Sequence, residues 1–134
     1  MQKLHLTADL HHCRCVPQWL VNAALLGHAC LQVIKASGLS PVQQPFHAFP
    51  ATPLSAGGMT ATVLLAESHL CIYTWPELGA VTFDVYVCNF GAGHSAKVQA
   101  LVNALLALFN PVHVTRHALQ RGQALLTTSE KVAS

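Results

Sequence analysis

Nucleophilic, acidic and aromatic side chains are concentrated in one short stretch of this 134-residue chain, LLAESHLCIYTWPELG, at residues 64–79. Two of the five acidic residues, Glu67 and Glu77, lie ten positions apart in it, and Asp84 follows closely. Between the two glutamates stand a serine, a histidine, a cysteine and two aromatic residues, which include the side chains that enzymes use as nucleophiles, acids and bases. The same spacing also fits an ordinary core strand, so the stretch alone leaves both interpretations open.

Hydrophobic periodicity predicts the elements that must hold this stretch in place. The predicted strands are 3–13, 59–66, 69–75, 80–88 and 111–118, and the predicted helices are 17–37 and 96–109. Residues 40–50 contain three prolines, which indicate an edge strand or an irregular loop. The glycine-containing segment 51–58 indicates a turn. Ser95 is predicted to cap the second helix.

The order of these elements, βαβββαβ, predicts the fold class. Short connections between the strands favour an α/β protein of the α+β type, a two-layer sandwich with a mainly antiparallel sheet and two helices on one face. Segment 80–88 alternates well, so its residues divide between two faces. One face carries Val81, Phe83, Val85 and Val87, and the other carries Thr82, Asp84, Tyr86 and Cys88.

Composition indicates what covers the second face of the sheet and excludes several classes of protein. Hydrophobic residues make up 52% of the chain and charged residues 9%, which predicts a single domain that buries an apolar face in a homo-oligomer. The most apolar windows, 98–109 and 59–66, are shorter than the roughly 20 residues of a membrane span. The net charge of +2 without a basic stripe gives no support for nucleic-acid binding.

The cysteines and the N-terminus predict a cytoplasmic protein. Five cysteines without paired spacing are typical of a reducing compartment. The first residues do not read as a secretory signal. The cluster at 11–15, His-His-Cys-Arg-Cys, resembles a metal site, but adjacent ligands on a strand point to opposite faces and no second pair matches it. No metal is therefore expected.

The motifs of the reactive stretch resemble a known family. The similarity is carried by Glu67-Ser68-His69-Leu70, then by Thr74-Trp75-Pro76-Glu77, and then by Asp84 and Cys88. In these motifs the chain is similar to the pyruvoyl-dependent S-adenosylmethionine decarboxylases of the short bacterial type. The resemblance extends to Phe46-His47-Ala48-Phe49 and to Leu4-His5-Leu6. It spans about 3–120, nearly the whole chain.

The resemblance implies a cofactor made from the chain itself. In this family the serine hydroxyl attacks the preceding carbonyl, the resulting ester is eliminated to dehydroalanine, and hydrolysis leaves a pyruvoyl group and ammonia. The bond cut here would be Glu67–Ser68, giving a β chain of 1–67 and an α chain of 68–134, whose end at 122–134 is expected to be loose. The pyruvoyl group forms a Schiff base with the amine of an α-amino acid substrate and accepts electrons as carbon dioxide leaves.

The same resemblance implies a homodimer of cleaved chains, with sites near the interface, and roles for three further residues. Cys88 matches the general acid that reprotonates the decarboxylated carbon. Phe49 matches the aromatic residue that stacks on adenine, and Glu77 matches the carboxylate that binds the ribose hydroxyls. The ordinary alternatives are a buried cysteine, a core aromatic residue and a solvated carboxylate. The predicted place of Cys88 beside Asp84 on the polar face favours the chemical role. His69 has no assigned step.

Two positions depart from the family pattern. Tyr73 stands where the family has a histidine that helps the elimination step, and a phenol with a pKa of about 10 is a poor base, although it can donate a hydrogen bond. Thr60 stands where the family often has a serine that supports processing, so a hydroxyl is retained. The loop at 50–58, next to Phe49, is also longer than usual.

Three functions follow from these residues. The first is a self-processing pyruvoyl-dependent decarboxylase of polyamine biosynthesis that acts on S-adenosylmethionine, whose sulfonium would favour aromatic faces. The second is the same chemistry on L-ornithine or L-arginine, with Asp84 or Glu77 binding the side-chain cation. The third is an uncleaved, catalytically silent binding or regulatory relative. Tyr73 is compatible with the third, whereas the presence of both Ser68 and Cys88 argues against it.

Overall fold

A computed structural model describes residues 3–54, 57–66, 68–88 and 94–121. The strands are β1 (Lys3–Cys13), β2 (Pro41–Gln43), β3 (Phe46–Ala48), β4 (Met59–Leu65), β5 (Ser68–Trp75), β6 (Ala80–Cys88) and β7 (Pro111–Arg121). The helices are α1 (Gln18–Val21), α2 (Ala23–Ala36) and α3 (His94–Phe109), and a short 3-10 helix follows β5 at Pro76–Leu78. The predicted cleavage residue Glu67 and the predicted loose end at 122–134 lie outside the described residues.

All strands of the described chain join one antiparallel sheet. Its order is β2-β4-β5-β6-β1-β7, and β3 also pairs with β4. The central strands β4, β5 and β6 are consecutive in the chain and are joined by short turns, which permits antiparallel pairing. The predicted two-layer sandwich with a mainly antiparallel sheet is confirmed.

One face of the sheet forms the hydrophobic core with the helices. Alternate residues of β4, β5 and β6 are buried there, as the predicted alternation of 80–88 required. Helix α3 contributes Leu101 and Leu105, and α2 contributes Ile34 and Cys30, all fully buried. The other face, which we call the open face, carries the intervening residues, and none of the described helices covers it.

The structure corrects the predicted helices. Residues 17–37 form two helices instead of one, because Asn22 has an extended backbone (φ −105°, ψ 106°) between α1 and α2. The Asn22 side chain accepts a 3.0 Å hydrogen bond from the Leu25 N–H, so this residue caps α2. Ser95 lies inside α3, so its predicted capping role is wrong. The described chain thus has three α-helices where two were predicted.

The ends of two predicted segments also differ from expectation. Residues 40–50 contain β2 and β3, which both pair with β4, so the edge-strand alternative is the correct one. The last strand continues to Arg121, three residues beyond the prediction, because it pairs with β1 along its length. No helix within the described ranges is long and apolar enough to cross a membrane.

Candidate active site

Ser68 is the first residue of β5, next to the hairpin from β4. It pairs with Leu65 of β4 and with Val87 of β6, so only Ala66 and Glu67 connect the two hairpin strands. Its hydroxyl oxygen is buried and has no hydrogen-bond partner among the residues that the structure describes. An unpaired buried hydroxyl costs about 1–3 kcal/mol, which is unusual for a residue with a purely structural role.

Cys88 ends the neighbouring strand β6 and pairs with Lys3 of β1. Because Val87 pairs with Ser68, Cys88 lies within one residue of the position opposite Ser68. Successive side chains of a strand point to opposite faces, so Cys88 lies on the open face and Ser68 on the helix-covered face. The structure therefore brings the predicted nucleophile and the predicted acid to the same end of adjacent strands.

A cavity of about 400 Å³ lies at the other end of these strands. It brings together four residues that the sequence singled out, which are Phe49, Thr60, Tyr73 and Glu77. Thr60 and Tyr73 are direct partners across β4 and β5. Trp75, which received no role from the sequence, lines the same cavity. Side chains from three parts of the chain thus form one concave site.

Two glycines shape the wall of this cavity. Gly57 has a left-handed backbone (φ +81°), a conformation that other residues adopt only with strain. A Cβ atom on Gly58 would collide with the Thr74 carbonyl oxygen, so the loop can pass β5 only as bare backbone. Gly58 in turn accepts a 2.9 Å hydrogen bond from the Phe49 N–H. These contacts hold Phe49 at the rim of the cavity.

Thr74 anchors this wall from inside the core. Its hydroxyl donates a 2.7 Å hydrogen bond to the Leu20 carbonyl and accepts a 2.8 Å hydrogen bond from the Met59 N–H. The side chain is 4% exposed, so both partners are needed to satisfy it. The threonine of the Thr-Trp-Pro-Glu motif therefore ties β5 to β4 and to α1 beside the cavity.

Aromatic faces and one carboxylate define the chemistry of the cavity. Phe49 is 50% exposed and packs edge-on against His47, with ring centroids 4.7 Å apart. Tyr73 and Trp75 lie side by side on the open face, 6.3 Å apart. Glu77 lies in the 3-10 helix that follows them. Such a site is suited to a planar ring or to a cation flanked by an acid.

Within one chain the cavity and Ser68 are separate. Tyr73 follows Ser68 by five residues on β5, which corresponds to about 16 Å and to opposite faces of the sheet. Tyr73 therefore does not contact Ser68 of its own chain. The structure divides the predicted site residues into a cleavage end with Ser68 and Cys88 and a cavity end with the other four.

A contact between His5 and Asp84 on the open face was not predicted from the sequence. His5 Nε2 lies 2.9 Å from Asp84 Oδ2 across β1 and β6. Asp84 was considered as a partner for a substrate cation, but it faces His5 and does not line the cavity, whereas Glu77 does. The alternation of both strands placed these residues on polar faces, but only the pairing of β1 with β6 shows that they meet.

Comparisons with known proteins agree with the architecture. The profile of the family described as S-adenosylmethionine decarboxylase matches residues 4–122. An S-adenosylmethionine decarboxylase proenzyme from Thermotoga petrophila is 33% identical over 119 residues, covering 89% of this chain and 83% of the relative. One from a Hydrogenobaculum strain is 30% identical over the same length, covering 89% and 81%. The crystal structure of adenosylmethionine decarboxylase from Aquifex aeolicus superposes with a TM-score of 0.76 at 25% identity, covering 94% of this chain and 95% of that one.

Proposed function

The chain belongs to the S-adenosylmethionine decarboxylase family, and we propose that it is a self-processing, pyruvoyl-dependent decarboxylase that acts on S-adenosylmethionine in polyamine biosynthesis. The observation that carries the proposal is the position of Ser68, whose buried hydroxyl lies beside the two-residue connection of β4 and β5. All five cysteines are free, which fits action in the cytoplasm.

Maturation starts from the Ser68 hydroxyl. Its oxygen attacks the carbonyl carbon of Glu67, and the amide becomes an ester as the nitrogen takes up a proton. Elimination releases the Glu67 carboxylate and leaves dehydroalanine at position 68, and water then replaces the nitrogen, which leaves as ammonia. A hydroxyl without a hydrogen-bond partner in the described chain supports the first step, because no such bond must be broken before the attack. The products are the chains 1–67 and 68–134.

In the mature enzyme a pyruvoyl group at position 68 would supply the electron sink for decarboxylation of the substrate. Cys88, at the end of the adjacent strand, would return a proton to the reacting carbon. Phe49 offers a half-exposed ring for the adenine, and Glu77 offers a carboxylate for the ribose hydroxyls. Tyr73 and Trp75 supply aromatic faces that favour a sulfonium cation.

A homodimer accounts for the separation of the two ends of the site. The cavity lies about 16 Å along β5 from Ser68, so one chain alone does not present both to one substrate. Large apolar side chains remain exposed on the open face, among them Leu64, Tyr73, Trp75 and Leu119. Two open faces packed against each other would bury them, and an antiparallel arrangement would bring the cavity of one chain to the cleavage end of its partner.

Mixed dimers test this arrangement. Co-expression of a Ser68→Ala chain with a Phe49→Ala/Glu77→Gln chain is expected to restore decarboxylation, because one intact site forms in each heterodimer. The matched control pairs Ser68→Ala with Cys88→Ala, which affect the same end and leave no intact site. Equal activity of the two mixtures would contradict a shared site.

The intact mass of the freshly purified protein tests self-processing. We expect two fragments that divide between Glu67 and Ser68, and a second fragment lighter than a chain that begins with serine. Ser68→Ala is expected to remain one chain of 14.3 kDa without activity, whereas Ser40→Ala, on an exposed loop, should be cut normally. Activity in uncut Ser68→Ala protein would exclude the pyruvoyl mechanism.

The choice of substrate is tested with the cleaved protein. Release of carbon dioxide is compared for S-adenosylmethionine, L-ornithine and L-arginine at equal concentrations. The aromatic cavity predicts a preference for S-adenosylmethionine. A preference for either diamine precursor would contradict the proposed substrate but not the cofactor, and a wild-type chain that stays uncut would support a binding or regulatory role.

A further inference from the structure

Three side chains of types that can bind a metal meet on the open face, between the cleavage end and the cavity. His69 and Cys71 are alternate residues of β5 and share this face, and Asp84 of β6 is the direct partner of Cys71. Their donor atoms all lie within 4.8 Å of one another, and each residue is half-buried. None of the three lines the cavity or belongs to the cleavage end.

We propose that His69, Cys71 and Asp84 bind one zinc ion, with the fourth coordination position open. An imidazole nitrogen, a thiolate and a carboxylate oxygen are the three ligand types that zinc takes in proteins, and three protein ligands with a water in the fourth position are the arrangement of catalytic zinc sites. Zinc–ligand bonds of 2.0–2.3 Å place tetrahedral ligands roughly 3.5 Å apart. The observed spacing therefore requires only side-chain movements of about 1 Å on a rigid sheet.

Neighbouring residues orient these ligands as outer-shell groups do in metal sites. His5 Nε2 holds one oxygen of Asp84 at 2.9 Å, and a carboxylate has a second oxygen for a metal. Tyr86 stacks on His69 with ring centroids 5.5 Å apart and planes inclined by 4°, which restricts the imidazole. Thr62 Oγ1 lies 3.8 Å from Cys71 Sγ. Each of the three ligands thus has a neighbour that limits its motion.

The ligands themselves supply the negative charge that a cation needs at this position. Arg121 lies over the ring of Tyr86, 5.1 Å from its centroid, and is a positive charge that does not itself favour the ion. When zinc binds, the Cys71 thiol releases its proton to solvent, so the thiolate and the Asp84 carboxylate together neutralise the two positive charges of the ion. The inference is independent of self-cleavage, because none of these residues is assigned to that chemistry.

Metal analysis of protein purified without a histidine tag tests the site. We expect about one zinc per chain by elemental mass spectrometry after dialysis. Cobalt substitution should give the charge-transfer absorption of a thiolate–cobalt bond, which reports the cysteine ligand directly. Cys71→Ser is expected to lose that band, whereas Cys13→Ser, a half-buried cysteine at the end of β1, should keep it.

A graded series separates direct ligands from supporting residues. His5→Gln is expected to weaken zinc binding about 10- to 100-fold, as is typical when an outer-shell partner is lost. Cys71→Ser should weaken it more. Circular dichroism of each variant checks that the fold is retained. Folded wild-type protein that binds no stoichiometric zinc would overturn the proposal. So would a Cys71→Ser protein whose zinc affinity and cobalt spectrum equal those of wild type.

Discussion

Ser68 and Tyr73 lie on the same strand, β5, but their side chains project from opposite faces of the sheet, about 16 Å apart. Ser68 lies opposite buried Val87, whereas Tyr73 lies opposite half-buried Thr82. Tyr73 is therefore not the base for Ser68 in its own chain. In the proposed dimer it would act on the partner's cleavage end, which makes the replacement of the family histidine a testable feature.

Replacement of Tyr73 by histidine is expected to speed maturation. An imidazole titrates near neutral pH and a phenol near pH 10, so Tyr73→His provides a base where tyrosine provides only a hydroxyl. The gain can approach the roughly 100-fold contribution of a positioned base. Tyr73→Phe should slow cleavage if the hydroxyl donates a hydrogen bond. The measurement is the uncut fraction over time after synthesis, and equal rates for all three proteins would exclude a role for Tyr73 in processing.

Removal of the Cys88 thiol should separate turnover from maturation. Cys88→Ala is expected to be cut normally and to lose about 10²- to 10⁴-fold in decarboxylation rate, the usual contribution of a general acid. Cys15→Ala, half-buried and distant in sequence from β6, is the matched control and should retain activity. Loss of cleavage in Cys88→Ala would instead assign the cysteine to processing.

Truncation of Phe49 should weaken substrate binding more than it slows chemistry. Stacking of a base on an aromatic side chain is worth about 1–3 kcal/mol, so Phe49→Ala is expected to raise KM roughly 10- to 100-fold with a smaller change in kcat. Val42→Ala removes another exposed apolar side chain outside the cavity and should leave KM unchanged. A fall in kcat at constant KM would show that Phe49 does not bind the substrate.

Substitution of Gly58 by alanine should destabilise the fold. The new Cβ would collide with the Thr74 carbonyl oxygen, and such overpacking costs about 1–3 kcal/mol in the free energy of unfolding. Gly27→Ala is the matched control, because a Cβ there meets Phe46 only at 3.6 Å and alanine favours the helix α2. Urea denaturation measures the free energy of unfolding of both variants. If Gly58→Ala is as stable as wild type, the wall of the cavity can move to accommodate the new Cβ.

Buried thiols predict a loss of stability at alkaline pH. Burial, and to a lesser extent the neighbouring Cys15, raises the pKa of Cys13 from 9.0 to about 11. Because the folded pKa exceeds the unfolded value, this stabilisation is present below pH 9 and is lost as the pH rises from 9 to about 11. Unfolding free energies measured across this range should fall less steeply for Cys13→Ser than for wild type. If the unfolding free energies of wild type and Cys13→Ser fall equally with pH, the raised pKa of Cys13 does not contribute to the loss of stability.

The fold class and the faces of the central strands could be read from the sequence, because a strand alternates with a period of two whatever it pairs with. The alternation of 80–88 therefore predicted the buried face of β6, and the apolar spacing predicted α3, although its cap was misplaced. The family resemblance carried by the Glu67-Ser68-His69-Leu70 and Thr74-Trp75-Pro76-Glu77 motifs is confirmed by the profile match. The roles of individual site residues stay predictions.

Contacts between distant segments depended on the tertiary structure. The break at Asn22 goes with a capping bond to Leu25, while Thr74, more than fifty residues away, binds the Leu20 carbonyl beside it. Local periodicity does not report such long-range contacts. The pairing of His5 with Asp84, and the meeting of Asp84 with Cys71 and His69, likewise depend on which strands become neighbours. The sequence by itself determined which side chains face together along each strand, and only the tertiary structure decided which strands lie side by side, because strand order follows from packing of the whole sheet against its helices.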